Sequence, residues 1–397
     1  VTSVGANHRR PPARKRAFSW NSKAWRALLY QVIAVAVIAL LAWFLIHNTL
    51  LNMQVRGIQS GYDFLSQPAG FDISEGLVAF DSNEPYWHAF LMGLGNTLRV
   101  ALLGIGLATL LGTLLGVGRF SRNALVRGLC TVYVESFRNV PVLLQLLLWY
   151  LLFTDVLPSA EAAWQLGPFY LSKGGLNFPV PLWVPAHAWV AVGLLLGMAA
   201  GWGWRLWARR RFEATGQAAS MVAMPLALTA LGLLAGLAVG GAGTQFDVPV
   251  KGELAIENGA ALTPEFLAVL VGLSVYTAAF IAEVVRAGVQ SVARGQGEAA
   301  AALGLSPGQQ MRLVTLPQAL RVIIPPLTNQ YLNLTKNSSL AVAIGYPDVV
   351  SIANTAINQT GRAVECIAII MAVYLSTSLA TSLLMGWYNR RAAIKER

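Results

Sequence analysis

Lys336 is the residue of this chain most out of keeping with its neighbours. It stands within an apolar stretch, 321–345, and is followed at once by Asn337, Ser338 and Ser339. An ionisable side chain inside such a stretch is costly and by default marks function. Four adjacent polar residues there must face protein or water rather than lipid. The segment therefore reads as the lining of a cavity, whose donors could meet a carboxylate, with Pro325-Pro326 loosening the helix before it. A structural pairing of Lys336 with Glu135 or Glu283 stands as the alternative. A second polar set lies in the apolar stretch 129–154. Glu135 and Arg138 are three apart, share a helical face and can pair. Asn139-Val140-Pro141 behind them is expected to bend that helix and free backbone groups; cavity lining and simple pairing are both open here. Arg99, in the first turns of 91–118, reads as a side chain snorkelling to the nearer interface.

A third group lies between two apolar runs, in the loop 288–320. Good helix formers (EAAAALGL) lead to Ser306-Pro307-Gly308, which is expected to break the helix. Gln309 to Leu316 then predicts a second short helix before Pro317. Two short helices at an angle, with Ala and Gly at their crossing, make a compact knob that another protein's cleft can close round. Glu298 is read as beginning the first of them, where a carboxylate favours the helix dipole. The plainer alternative is an ordinary connecting loop.

Other chemistry finds no support in the residue pattern. There is no G-x-x-x-x-G-K-[ST], H-E-x-x-H or G-x-S-x-G. His8, His47, His88 and His187 show no metal-ligand spacing. Cys130 and Cys366 sit at the edges of apolar runs and read as packing residues rather than a disulfide.

The elements that must position these groups are membrane helices. The chain has 397 residues, 55% hydrophobic and 12% charged, with a mean hydropathy of +0.55, and stretches of ~20 apolar residues recur along it. The spacing predicts an all-α, polytopic fold with eight spans at about 27–46, 91–118, 129–154, 187–205, 218–240, 264–286, 321–345 and 365–388. With the N-terminus inside, 22 of the 29 Lys and Arg fall in inside segments and four outside, so both termini are expected to be cytoplasmic. The net charge of +11 is therefore read as an address rather than a nucleic-acid surface, and the basic tail HRRPPARKR as an anchor beside anionic lipid. The first span is too long and too well flanked for a cleaved signal peptide.

Three outside segments follow from this topology. Residues 47–90 are too apolar for a free linker and are expected to fold as short helices on the outer face. Residues 155–186 are expected to form an irregular, packed loop, and 241–263 carry Asp247, Glu253 and Glu257. Glycines four apart (Gly112/Gly116, Gly197/Gly201, Gly232/Gly236/Gly240) mark close helix approaches, without identifying the partner.

The loop carries a more specific signal. Glu298-Ala299-Ala300, three residues, Gly304, nine residues, Val314, one residue and Leu316-Pro317 resemble the EAA loop of ABC importer permeases, with Val314 in place of Ile. Asn96-Thr97-Leu98, the run Glu135 to Gln145, Ala282 to Gly288, Gly295 to Glu298, Leu316 to Arg321, Pro325 and Lys336 to Leu340 extend the likeness over most of 91–390. Together they resemble the permeases for polar amino acids, of the histidine/glutamine/arginine/glutamate type. Arg56-Gly57-Ile58, the run Gly61 to Leu65 and the run Ala69 to Ile73 are similar to the general L-amino acid (Aap/Bzt-type) branch, nearest its Q subunit.

The resemblance implies a type I ABC importer transmembrane fold. Its domain plan is a basic tail, 1–26, an added helix and periplasmic segment, 27–90, a permease domain, 91–390, with an inserted helix pair at about 187–240, and a tail, 391–397. It implies that Glu298, Ala299, Ala300, Gly304, Leu305, Ser306, Leu316 and Pro317 dock a separate ATPase, and that the chain itself holds no cofactor, ATP and Mg being bound by that ATPase. It implies as partners a second permease subunit (a heterodimer), an ABC ATPase dimer, a periplasmic substrate-binding protein, L-amino acid substrate and the lipids of a bacterial inner membrane, and no nucleic acid. The cavity residues expected are Lys336, Asn337, Ser338, Ser339, Glu135, Arg138, Asn139 and Pro141. A stand-alone secondary transporter or channel is the competing reading, without a need for the docking loop. It calls for paired carboxylates in mid-membrane, whereas Glu135 and Glu283 lie near span ends.

Overall fold

The computed structural model describes residues 23–392, apart from 56, 58–59, 77, 183–186, 217–218, 241–245 and 253–254. The basic run Arg9 to Arg16, the last residues of the C-terminal tail, Arg56, Ile58 and Glu253 lie outside the described residues. Long helices dominate. Six are each long and apolar enough to cross a membrane: α1 (Lys23–Val55), α2 (Tyr86–Gly118), α5 (His187–Thr215), α6 (Ala223–Gly240), α7 (Pro264–Gln290) and α12 (Ala363–Ala392). Between them lie α3 (Ala124–Asn139), α4 (Val142–Leu151), α8 (Arg294–Ala302), α9 (Pro307–Gln310), α10 (Leu316–Asn337) and α11 (Val349–Thr360).

Two of the eight expected spans are not single rods. The third breaks at Val140-Pro141, where α3 and the segment Val142–Val156 meet at 106°. Pro141 has no N–H to continue α3, and Gln145 Nε2 donates to the orphaned carbonyls of Phe137 and Val140, both at 2.9 Å. The seventh runs from Pro307 to Ile344, ends as a 3₁₀ turn over Ser338–Ile344, and meets α11 at 48°.

The core is α2 against α7, with α4 and α10 packed around them. Val100, Leu146, Leu273, Ile281, Leu334 and Tyr346 are among its buried side chains. Glycine spacing sets the α2–α7 approach. A Cβ at Gly112 would lie 2.7 Å from the Ala278 carbonyl and from Ile281 Cβ, and one at Gly116 would lie 2.8 Å from Val285 Cβ. Gly112→Leu is therefore expected to force these helices apart and destabilise the fold by about 1–3 kcal/mol, read as a lower melting point in detergent. Gly106→Leu, on a face of α2 with open space, should melt like the parent.

The outer segments differ from expectation. Among the described residues of 47–90 the expected set of short helices is not found. α1 continues to Val55, α2 begins at Tyr86, and between them stand one 3₁₀ turn, Asp63–Ser66, and two isolated bridges, Pro68 with Pro85 and Ile73 with Phe80. Gly61, Pro68, Gly70, Gly76 and Pro85 punctuate this stretch too densely for a helix. Its Phe64, Ala69 and Phe80 are buried against Tyr86, Phe90, Ile352, Ala356 and Cys366.

Arg99 does not snorkel. It pairs with the carboxylate of Glu75, itself 5% exposed, and stacks on Phe266 at 4.1 Å. The other Glu75 oxygen accepts from the Thr263 N–H at 3.2 Å, so one carboxylate ties the outer segment to α2 and to the start of α7. Glu75→Gln leaves a half-enclosed guanidinium without its anion and is expected to cost about 3–5 kcal/mol. Thermal melting checks this, and adding Arg99→Met should restore part of the loss.

The described residues of 155–186 are not irregular either. β1 (Trp164–Leu166), β2 (Phe169–Ser172), β3 (Gly175–Phe178) and β8 (Ala260–Leu262) form an antiparallel sheet in that order. β4 (Val180–Pro181) pairs β5 (Phe246–Asp247), and β6 (Val250–Lys251) pairs β7 (Ile256–Glu257). Gly175, at φ +104°, lets β3 approach β8; a Cβ there would sit 2.0 Å from the Leu262 carbonyl. The sheet closes the two ends of the α5–α6 hairpin on each other before the chain enters α7. The hairpin is held by Gly193 and Gly197 against Gly232 and Gly236, backbone on backbone.

Candidate functional site

The 298–317 knob is built from helix punctuation. α8 ends in a Schellman turn. Gly304 N–H donates to Ala301 O at 2.9 Å and Leu305 N–H to Ala300 O at 3.2 Å, with Gly304 left-handed at φ +74°. The break thus falls at Leu303-Gly304, not at Ser306-Pro307-Gly308, which instead start α9. Ser306 is its N-cap, Pro307 takes the first helical position, and the Gln309 side chain accepts the Ser306 N–H at 2.9 Å.

The expected second helix is not a separate one ending before Pro317. Past α9 the chain turns through a π-helical stretch, Met311–Thr315, and runs on as α10. Pro317 lies in the first turn of α10, where it has no N–H to give to the turn behind it, and the ladder loosens to the wider spacing there. Glu298 does not begin α8, which starts four residues earlier at Arg294; the run Arg294-Gly295-Gln296-Gly297 is already helical. Its carboxylate is exposed in the second turn.

Glu298, Ala299, Gly304, Ser306 and Leu316 are exposed on this knob, Leu305 and Pro317 are half-buried, and Ala300 is buried beneath it. Gln318 Nε2 donates to Gln296 Oε1 at 3.2 Å, bracing α10 on α8. Three apolar side chains that the sequence reading passed over also project here: Leu303, 81% exposed, Leu313, 61%, and Met311, 48%. Their signal was apolar residues in a connecting loop without a helical face to bury them.

The polar residues of the spans separate into two places. Glu135 and Arg138, which their spacing allows to pair, do not do so, because each reaches another helix. Glu283 of α7 accepts from Arg119 at 2.6 Å and binds Arg286, while Arg138 lies 3.8 Å from it and Arg119 lies 3.9 Å from Glu135. The ends of α2, α3 and α7 thus meet in one cluster of three guanidiniums and two carboxylates. Arg138 also stacks on Phe280 at 5.4 Å. Asn139 Nδ2 donates to its own helix, at Glu135 O, 2.7 Å, and Pro141 caps α4.

Lys336 lies elsewhere. It occupies the last turn of α10, two residues beyond Leu334, which packs on Gly104 half-way along α2. It is exposed and has no ion-pair partner among the described residues; Glu135 and Glu283 are held by arginines instead. Ser338 and Ser339 do not offer their protons to a cavity, since they donate to Thr335 O and Lys336 O, each at 2.7 Å. Lys336 and the half-buried Asn337 remain as donors with no protein acceptor among the described residues.

Residues 108–394 match the family described as binding-protein-dependent transport system inner membrane component. The chain is 46% identical over 380 residues to the general L-amino acid transport system permease protein AapQ of Rhizobium johnstonii, covering 94% of each chain. It is 44% identical to the putative amino-acid ABC transporter permease protein YhdX of Escherichia coli K12, over 98% of this chain and all of that one. It is 39% identical to the glutamate/glutamine/aspartate/asparagine transport system permease protein BztB of Rhodobacter capsulatus, covering 94% and 95%. With six helices among the described residues long and apolar enough to span a membrane, two further bent helix pairs, and a family match over most of its length, the chain belongs to the inner-membrane permeases of binding-protein-dependent ABC transport systems.

Proposed function

We propose that this chain is the permease subunit of an ATP-driven importer of L-amino acids, coupled through the 298–317 knob to a separate ABC ATPase dimer that binds ATP and Mg. The observation that carries this is the knob itself. It is a braced pair of short helices, with Leu303, Met311 and Leu313 left uncovered round a left-handed Gly304. Apolar side chains held rigidly on a polar-backed projection suit the cleft of another protein.

Both termini and the knob face the cytoplasm in this reading, in keeping with the placement of Lys and Arg. A periplasmic binding protein delivers substrate to the opposite face, where the small sheet and residues 60–85 lie. A second permease completes the pathway as a heterodimer. Closure of the nucleotide-loaded ATPase dimer pushes on the knob, α10 carries the push from the knob toward Lys336, and the cavity alternates its access. The ATPase favours one state by its differential contact with the knob. Lys336, with Asn337, meets the substrate carboxylate.

The domain plan puts the permease proper at 91–390 with the α5–α6 hairpin inserted. The test is purification of the tagged chain in mild detergent with its neighbours. A co-purifying P-loop ATPase and second permease, with hydrolysis stimulated by binding protein plus L-amino acid, supports the reading. A chain that purifies alone and transports without ATP would return the secondary-transporter reading to the front.

A further inference from the structure

α5 has 29 residues and α6 has 18, about 43 Å and 27 Å, so the last turns of α5 overrun its partner. Arg205, Arg209, Arg210 and Arg211 are gathered there, with Glu213 their neighbouring acid. Trp202, Trp204 and Trp207 lie among them. Trp204 Nε1 donates to Ser220 O at 3.0 Å and Arg205 Nε to Met221 O at 3.2 Å, which pins this end to the turn entering α6. Arg211 stacks on Trp207 at 5.1 Å. Tryptophans and arginines banded at one end of an apolar hairpin mark the boundary between hydrocarbon and headgroups.

At that level the two helices leave a groove of about 200 Å³. At its floor Gly201 backs directly on Pro225; a Cβ there would lie 3.0 Å from the Pro225 carbonyl. Met198, Trp202 and Leu226 wall it, and the Thr229 hydroxyl donates to Pro225 O at 2.8 Å. The Arg205 guanidinium stands at its mouth. With Nε committed to the turn, its two Nη groups have no partner among the described residues. Arg209, one turn on along the same face, is shared with Glu213 at 3.1 Å in an exposed pair. α5 and α6 pack on each other, and neither is buried in the α2–α7 core.

We propose that this groove and its arginine mouth bind an anionic phospholipid, the phosphodiester on the Arg205 Nη groups and Arg209, an acyl chain along Met198, Trp202 and Leu226. A planar guanidinium fork matches a phosphate's oxygens, and the side chains of Met198, Trp202 and Leu226 beneath it suit methylenes. The inference rests on α5 and α6 crossing the membrane, but on nothing about coupling or transport, so its failure would leave the importer reading untouched.

The test is the melting of the purified full-length protein in mild detergent, titrated with phosphatidylglycerol, phosphatidylcholine or inorganic phosphate. Phosphatidylglycerol should raise the melting point saturably, and the other two should not. Arg205→Gln with Arg209→Gln should weaken the apparent affinity roughly 30-fold, at about one decade per 1.4 kcal/mol and ~1 kcal/mol for each cation near a headgroup. Arg210→Gln with Arg211→Gln removes the same charge from other faces of the same helix end and should change it less than about threefold. Leu226→Trp, which fills the groove and leaves every charge in place, should also abolish the saturable shift, and keeps the test open if the arginine variant does not fold. Equal losses from the two arginine pairs would mean a diffuse basic surface, and stabilisation by inorganic phosphate or phosphatidylcholine would mean a different ligand. Either result overturns the site, as does an unchanged Arg205/Arg209 variant.

Discussion

Leu303→Asp is expected to leave the abundance and melting point of the chain unchanged and to reduce ATP-driven uptake by at least about 30-fold. The side chain is 81% exposed and lies at the C-terminal end of α8, so its removal opens no cavity in this subunit. In the proposed assembly it is the most protruding apolar group of the knob, and a central interface anchor of that kind contributes about 2 kcal/mol or more. A carboxylate in its place must be desolvated by the ATPase cleft. The measurement is uptake and stimulated hydrolysis in proteoliposomes, beside the amount of ATPase retained on the tagged chain. Gly304→Arg should have a similar effect for a different reason, since a side chain at φ +74° strains the Schellman turn and tilts α8 against α9. Combined with Glu298→Lys it should abolish coupling while the spans stay folded. Undiminished uptake by the Leu303 variant with normal ATPase retention would remove the docking role from the knob.

Lys336→Met carries the second large expectation. If its ammonium meets the substrate carboxylate, the loss of one charge-assisted hydrogen bond, about 1.5–3 kcal/mol, lowers kcat/KM for uptake some 10- to 150-fold. Lys336→Arg should keep the charge and recover part of that loss. The variant should melt close to the parent, because Lys336 has no ion-pair partner to orphan among the described residues. A chain that disappears from the membrane on Lys336→Met would instead assign the lysine to a structural pair with the second permease subunit. The same substitution at Arg138 is expected to behave differently. Arg138 shares Glu283 with Arg119 and Arg286 and stacks on Phe280, so its loss should lower the melting point as well as uptake.

The parts of this protein that could be read along the chain are those whose causes lie within a few residues of each other. The knob is one. Glu298-Ala299-Ala300, Gly304 and Leu316-Pro317 hold their spacing because a helix, a left-handed glycine and a restart follow one another locally. The bend at Pro141 is another, since a missing N–H acts on its own helix. The spans are legible because ~20 apolar residues must be contiguous to cross a bilayer.

What only the tertiary structure decided involves partners far apart in sequence or competition for one hydrogen bond. Arg99 and Glu75 meet across an irregular segment whose path no local pattern encodes. β3 meets β8 only after the whole α5–α6 hairpin has been inserted between them. Glu283 collects Arg119, Arg138 and Arg286 from three helices, so the pairing of Glu135 with Arg138 that helical spacing allowed was outcompeted. Ser338 and Ser339 are polar by type and so read as cavity donors, yet each gives its proton to a carbonyl three residues back, Thr335 O and Lys336 O respectively. Composition specified that Lys336 must find water, an anion or a partner subunit. Its place at the end of α10, level with the middle of α2 and clear of Glu135 and Glu283, came from packing, because depth and neighbours are properties of the assembled bundle rather than of any one helix.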